Sequence, residues 1–230
     1  MKTNQDYKNA ALGRIRGNWA PLIVATIVFV LIVLLCEGVS EWKFISEKLP
    51  KLAFFVPSTF GLKALLEGCG LVTIFFIAGP VSVGYDNSIR VFYETGDTNV
   101  TSNMFHITIG NYLHIVWAYF LMTVKIFLWS LLLIIPGVIK SYAYAMTPFI
   151  LVEHPEMSAG EAMSESEKIM EGHKFDLFWL QLSFIGWFIL SVLTLGIGFF
   201  WLEPYGQAAT VAFYEDIKAV DPVSGIDDQQ

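Results

Sequence analysis

Long apolar stretches separated by short polar connections dominate the chain. The apolar stretches lie at about 19–36, 64–85, 111–135, 138–152, 176–194 and 199–215. Most are close to the roughly 20 residues that an α-helix needs to cross the hydrocarbon of a bilayer. The pattern predicts an all-α, polytopic transmembrane helical bundle with about six spans.

Glycine and proline mark the predicted breaks. Gly79-Pro80 should kink the second span, and Pro136-Gly137 should turn the third into the fourth. Residues 95–110 are polar and read as a turn-rich connection. We expect one transmembrane helical domain over residues 1–218 and a disordered polar tail over 219–230.

The segment 157–172 predicts a cytoplasmic amphipathic helix. Ser158 and Glu161 have the spacing of a capping box. One face, at i, i+3, i+4 spacing, carries Ala159, Ala162, Met163, Ser166, Ile169 and Met170. The opposite face carries Glu161, Glu165, Glu167, Lys168 and Glu171. Two interpretations stay open: a helix packed on the inner end of the bundle, or a docking helix for a protein partner, with Glu161, Glu165 and Lys168 exposed.

Composition agrees with a membrane protein and excludes one class of partner. The chain is 55% hydrophobic and 15% charged, whereas a soluble domain is about 25% charged. The net charge of −7 argues against nucleic acid, which requires a basic face. The expected partners are membrane lipids and a cytosolic or membrane protein; the oligomeric state stays open.

The distribution of Lys and Arg predicts that both termini are cytoplasmic. With the N-terminus inside, eight cationic residues fall in cytoplasmic segments and four, all between 43 and 63, fall outside. The excess on the inside follows the positive-inside rule.

No catalytic motif or cofactor motif is present in the sequence. There is no HExxH, GxGxxG or Walker A pattern, and the four histidines lack metal-ligand spacing. We therefore expect no metal, no cofactor and no enzymatic activity. Cys36 and Cys69 are expected to be buried free thiols.

Ionisable residues inside the predicted spans are the strongest functional signal, because a charge in the bilayer is costly. Lys140, Glu203 and Glu67 fall near the outer ends of their spans and could line a polar pocket; the alternative is that they snorkel to the interface. Lys125 lies near the middle of the third span. We expect Lys125 to point into the bundle and to have either an oxygen partner on another helix or access to water.

A short pattern occurs twice. Gly79-Pro80 precedes Phe92-Tyr93-Glu94 in the second span, and Pro204-Tyr205 precedes Phe213-Tyr214-Glu215 in the sixth. Both helices run from outside to inside in the predicted topology. The pattern indicates either a parallel internal repeat, as found in transporters, or a chance similarity.

The segment from Ile135 to Phe149 resembles a bacterial membrane-protein family known as domain of unknown function 975. Other segments that resemble it are Gly17-Asn18-Trp19, Ser158-Ala159, Glu161-Ala162, Ser166, Met170, Gly172-His173-Lys174, Leu182 to Trp187, Leu193 to Gly198, Pro204-Tyr205 and Ala212 to Glu215. The resemblance implies a helical protein of the bacterial cytoplasmic membrane and no particular reaction. A more distant similarity is to the membrane domain of some glycerophosphodiester phosphodiesterases, whose catalytic barrel has no counterpart in the sequence.

These observations favour a non-enzymatic accessory, scaffold or envelope-stress factor. The main alternative is a small-molecule or lipid transporter with a polar intramembrane site, and an intramembrane enzyme is the third. A membrane-spanning polar cavity would favour transport, and a solid bundle with an inner groove would favour scaffolding.

Overall fold

The structure, a computed structural model, describes residues 2–40, 74–132 and 134–220. Within these ranges the side chains at 37–40, 74, 75, 132, 134 and 220 are not described. Glu67, Cys69 and the polar tail from residue 221 lie outside the described residues, so the predictions made for them stay predictions. Cys36 is buried.

The described ranges are helical and contain no strand. The helices are α1 (Asn4–Ile15), α2 (Trp19–Ser40), a π-helical turn (Ile74–Ala78), α3 (Gly79–Thr95), α4 (Val100–Gly110), α5 (Tyr112–Leu132), α6 (Ile134–Ala143), α7 (Thr147–Glu153), α8 (Ala159–Ile169), α9 (Lys174–Leu182), α10 (Ile185–Leu193) and α11 (Phe199–Val220).

Four helical segments are long and apolar enough to cross a membrane: Trp19–Cys36, Tyr112–Leu131, Ile135–Glu153 and Lys174–Leu193. They coincide with four of the predicted spans. Their outer faces carry large apolar side chains that only lipid would cover; Leu35, for example, is 72% exposed. The chain is therefore an all-α membrane protein, and the described part has four candidate spans where the sequence predicted about six in the whole chain.

The other two predicted spans have different outcomes. The second, 64–85, lies partly outside the described residues, and its described end forms the π-helical turn and α3. The sixth forms α11, a helix of 22 residues. It is not among the four candidates, because Glu203 lies near its start and three charged residues lie close together from Glu215 to Lys218.

The predicted connection over 95–110 is wrong, because most of it is helix α4. Val100, Met104 and Thr108 are buried at a spacing of four residues and pack against α3. The close approach requires Gly84 of α3, where a Cβ atom would collide with Thr108 and with the backbone carbonyl of Met104. The buried face of this helix consists of only three residues, one of which is the polar Thr108, whereas the apolar Phe105 and Ile109 are exposed, so its hydrophobic periodicity is weak.

Helices α3 and α11 occupy the centre of the bundle. Eleven of the 17 residues of α3 are buried, so most of its surface faces protein. Helix α11 contacts α1, α2, α3, α9 and α10. These two helices hold the polar side chains described below.

Helices α1 and α8 repeat the same local structure. Thr3 caps α1 and forms a capping box with Asp6, and Ser158 caps α8 and forms a capping box with Glu161. Each pair satisfies the free N–H groups of a helix start in the same way. Ser158 and Glu161 each lie 155 positions after Thr3 and Asp6.

The same offset of 155 positions continues beyond the two helices. Gly17 and Gly172 follow them with φ of +92° and +81°, a left-handed conformation that favours glycine. Two residues later Trp19 begins α2 and Lys174 begins α9, each at the start of a candidate span. A capped helix, a left-handed glycine and a membrane-spanning segment thus occur twice in this order, at an offset that differs from the 121 positions between Glu94 and Glu215.

The buried face of α8 generates the first prediction. Met163 is fully buried, whereas its neighbour Ser164 is exposed. Met163→Glu should lower the free energy of unfolding by about 3 kcal/mol or more, because it removes buried apolar surface and introduces an unpaired charge. Thermal unfolding in detergent measures the effect, with Ser164→Glu as the matched control. Equal melting temperatures for the two variants would contradict the packing of α8.

Candidate functional site

A pocket of about 320 Å³ lies between α3, α9 and α11. Its polar lining residues are Asp86, Gln181, Glu203, Gln207 and Thr210. Its apolar lining residues are Ala145, Phe149, Leu177, Leu180, Phe184, Leu202 and Gly206. An apolar cavity with a few convergent polar groups is the usual form of a small-molecule site.

Two carboxyl groups face this pocket. The amide nitrogen of Gln207 donates a hydrogen bond of 2.7 Å to Asp86. Glu203 lies one helical turn before Gln207 on the same face of α11, and its charge acts on Asp86 through space. No Lys or Arg lines the pocket, and within the described ranges neither carboxyl forms an ion pair. The pocket therefore contains two carboxyl groups and no basic side chain that compensates them.

The repeated pattern of α3 and α11 is paired in space. Asp86 precedes Glu94 by eight residues, and Gln207 precedes Glu215 by eight residues. Gln207 bonds to Asp86, and carboxylate oxygens of Glu94 and Glu215 lie within 4.8 Å of each other. Residues at equivalent positions of the repeated pattern thus lie close together at two heights along the helices. Helices α3 and α11 therefore run parallel and in register.

An aromatic pair lies at one end of the pocket. Phe149 of α7 lines the pocket, and its ring stacks on that of Tyr214 with centroids 5.2 Å apart and planes at 25°. The hydroxyl of Tyr214 donates a hydrogen bond of 2.5 Å to Glu153. The aromatic pair, called the floor of the pocket below, is therefore linked to Glu153, the last residue of α7.

Beneath this floor lies an ionic cluster formed by Arg90, Glu94, Glu153 and Lys218. Lys218 Nζ donates to Glu153 Oε1 at 2.8 Å, and Arg90 Nη1 forms ion pairs with Glu153 and, at 3.0 Å, with Glu94. The side chains of Arg90 and Glu153 are only 9% and 11% exposed. Because the pairs are largely buried, loss of one partner leaves a charge that water cannot solvate.

Asn87 holds Arg90 in place. Its side-chain nitrogen donates to the carbonyls of Val83 and Pro148, both at 2.9 Å. Its oxygen accepts a hydrogen bond of 3.2 Å from Arg90 Nε. Asn87 is fully buried, and it joins α3 to the start of α7.

Glu94, Glu153 and Glu215 are the carboxylates that lie close enough together to share a metal ion. Arg90 and Lys218 already neutralise Glu94 and Glu153. Direct pairing with these two basic residues thus balances the negative charge that a bound cation would otherwise balance. The arrangement is therefore better described as a set of ion pairs between helices than as a metal site.

Helix α1 is attached to the same end of the bundle. Asp216 forms an ion pair of 2.8 Å with Lys2 and accepts a hydrogen bond of 2.8 Å from the hydroxyl of Tyr7. Burial opposes ionisation of Asp216, but the bonds from Lys2 and Tyr7 outweigh it and hold its pKa below the ordinary value. Lys8 reaches further along the bundle and donates to the carbonyl of Ser183 at 2.7 Å.

Lys125 lies at the surface of the part of the chain that the structure describes. Its side chain is exposed, and its ammonium lies 5.8 Å from the centre of the Tyr144 ring. In the part of the chain that the structure describes it has no hydrogen bond and no ion pair. Leu121, Met122 and Ile126 pack against the bundle on the same side of α5 as Lys125, because residues three or four positions apart share a helix face.

The structure separates the other predicted site residues. Glu203 lines the pocket, whereas Lys140 forms an ion pair with Glu167 of α8 and lies over the rings of Trp129 and Tyr144. Lys140 and Glu203 therefore do not form one site.

The predicted wet face of α8 is partly wrong. Glu161 is exposed, but Glu165 is only 5% exposed and pairs with Lys168 at 2.9 Å. Glu165 lies three residues after Ala162 and four before Ile169, so it shares the side of the helix that those buried residues occupy.

Sequence analysis missed Asp86, Gln207 and the ionic cluster. Asp86 fell one residue beyond the predicted end of the second span, and Gln207 carries no charge. The available signal was the repeated pattern, because aligning Glu94 with Glu215 also aligns Asp86 with Gln207.

Apolar helices of membrane-spanning length around a polar pocket define an α-helical membrane protein. A family model described as "Protein of unknown function (DUF975)" matches residues 121–221, which run from α5 to the end of α11. The match supports the resemblance noted in the sequence and covers a little under half of the chain. No curated protein and no solved structure matches the chain, and the similarity to the membrane domain of glycerophosphodiester phosphodiesterases stays a prediction.

The ionic cluster generates the second prediction. Glu153→Gln should lower the free energy of unfolding by about 3 kcal/mol, because it leaves the charges of Arg90 and Lys218 without their shared partner. Chemical denaturation in detergent, monitored by tryptophan fluorescence, measures the change. Glu171→Gln, an exposed acid outside the cluster, is the control and should be neutral. If both variants were neutral, the cluster would not hold the helices together.

Proposed function

We propose that the protein is a small-molecule transporter that binds its solute in the pocket between α3, α9 and α11. One observation carries the proposal: the pocket contains Asp86 and Glu203 without a basic partner, and an aromatic pair backed by an ionic cluster closes one of its ends. Ionisable residues at membrane depth are costly and typically mark solute or ion pathways.

The proposed topology has six spans, with both termini in the cytoplasm of a bacterium. Under it, α2 and α9–α10 run outward, whereas α3 and α11 run inward. The parallel, in-register contact of α3 with α11 supports this arrangement. The four candidate spans and the excess of cationic residues in the predicted inner segments support it as well.

The depth of the pocket agrees with a solute site. Glu203 lies twelve residues before Glu215 on α11. At 1.5 Å per residue Glu203 lies roughly 18 Å from Glu215 and, four residues after the start of α11, roughly 6 Å from the outer end of that helix in the proposed topology.

A transporter also needs a barrier that can open on one side at a time. Phe149 and Tyr214 form a candidate inner barrier, and Glu153 connects it to Arg90 of α3 and Lys218 of α11. Breaking these ion pairs would free the ends of α3 and α11 to separate. The geometry therefore supports an outward-facing pocket with a closed inner end.

The alternative of a scaffold that docks a partner on α8 has less support. Of the acidic residues on its polar face, Glu165 pairs with Lys168 and Glu167 with Lys140, so both are engaged within the chain. Glu161 and Glu171 are exposed, but Glu161 is occupied by the capping box. Little of the predicted docking face thus stays available.

Cysteine labelling tests the proposed access. In a variant with Cys36 and Cys69 replaced by serine, Thr210→Cys should react with a membrane-impermeant thiol reagent from the outside only. Adding Glu153→Gln should make the same cysteine reactive from the inside, because the inner barrier then loses its ion pairs. Inside-out and right-side-out vesicles provide the two measurements.

Ser164→Cys is the positional control for this experiment. It lies on the exposed face of α8 and should react from the inside only, with or without Glu153→Gln. Reaction of Thr210→Cys from the inside in the otherwise native protein would contradict the closed inner end. No reaction from either side would contradict a solute pocket.

A further inference from the structure

We propose that the pocket binds a small organic cation, specifically an amine. This inference deepens the proposed function, since it names the class of solute for the same pocket. The pocket combines carboxyl groups, neutral hydrogen-bonding groups and an apolar wall, and each of these features matches a different part of such a molecule.

The carboxyl groups determine the sign of the ligand's charge. Asp86 and Glu203 line one small cavity, and no basic side chain lines it with them. Gln207 orients Asp86 by its hydrogen bond of 2.7 Å, whereas Glu203 makes no hydrogen bond within the described part of the chain. Two such groups at membrane depth require a proton or a cation, and an anionic solute would be repelled.

The apolar wall distinguishes an organic cation from a metal ion. Leu177, Leu180, Leu202 and the rings of Phe149 and Phe184 provide much of the lining. Hard metal cations need six or more oxygen ligands at short distances, which an apolar wall does not supply. The same wall can cover the hydrocarbon part of an amine, and an aromatic face attracts an ammonium group.

Neutral polar groups complete the pocket. Gln181 and Thr210 line it, and the side-chain oxygen of Gln181 accepts a hydrogen bond of 2.8 Å from Tyr142. These groups offer hydrogen bonds to an ammonium or to a hydroxyl of the ligand. The volume of about 320 Å³ corresponds to roughly ten groups of the size of a water molecule, which limits the ligand to a small molecule.

A binding experiment on the full-length protein in detergent tests this inference. The probes are propylamine, putrescine and tetramethylammonium, with butanol as the neutral comparison, butyrate as the anionic one and sodium chloride as the inorganic cation. At least one amine should bind in calorimetry and raise the melting temperature. Butanol, butyrate and sodium should do neither.

Substitutions of the two carboxyl groups test whether the amine binds in this pocket. Glu203→Gln keeps the shape of the side chain and removes the charge, so it should weaken amine binding at least tenfold. Asp86→Asn should do the same. Glu171→Gln, the exposed control, should bind as the native protein does. A melting temperature without ligand close to the native value shows that each variant is folded.

Three results would overturn the inference: no probe binds, butyrate binds as well as the amines, or sodium alone binds in a manner that depends on Glu203. Flux in proteoliposomes separates this inference from the proposed function. Amine binding without amine flux would contradict the proposed transport function but not the proposed ligand class. Uptake of a solute that is not a cation, without amine binding, would contradict the ligand class and leave transport standing.

Discussion

The carboxylate of Glu153 accepts hydrogen bonds from Lys218 and Tyr214 and pairs with Arg90, so one side chain at the end of α7 joins α3 to α11. The contact matters for both central helices, because Arg90 of α3 and Glu153 of α7 have little access to water. The position of Phe149 depends on it as well, since its ring rests on Tyr214. The position of the aromatic pair at the end of the pocket thus depends on the ion pairs that Arg90 and Glu153 form.

The contact between α3 and α11 explains why a polar pocket exists in an otherwise apolar bundle. The two helices run parallel and place equivalent residues opposite each other, so Gln207 meets Asp86 and Glu215 meets Glu94. At one level Arg90 of α3 and Lys218 of α11 form ion pairs with Glu94 and Glu153. At the other level no basic residue lines the pocket with Asp86, and the unneutralised carboxyl groups are available to a ligand.

Part of this structure could be predicted from the sequence. The long apolar runs predicted four segments of membrane-spanning length, and the spacing around Ser158 predicted the cap and buried face of α8. Hydrophobic periodicity determines which segments are helical, but it does not determine how a helix is rotated in the bundle. For this reason the pattern predicts an exposed Glu165, whereas the structure buries it. The ionic cluster depends on contacts between residues more than 60 positions apart, which no local pattern encodes.

The central claim is that Glu153 holds the inner ends of α3 and α11 together. Spin labels at Thr95→Cys and Ala219→Cys, in a protein with Cys36 and Cys69 replaced by serine, measure the separation of those ends directly by electron paramagnetic resonance; both positions are exposed. We expect a single short distance with native Glu153 and an additional longer distance with Glu153→Gln. Identical distance distributions for the two proteins would contradict the account.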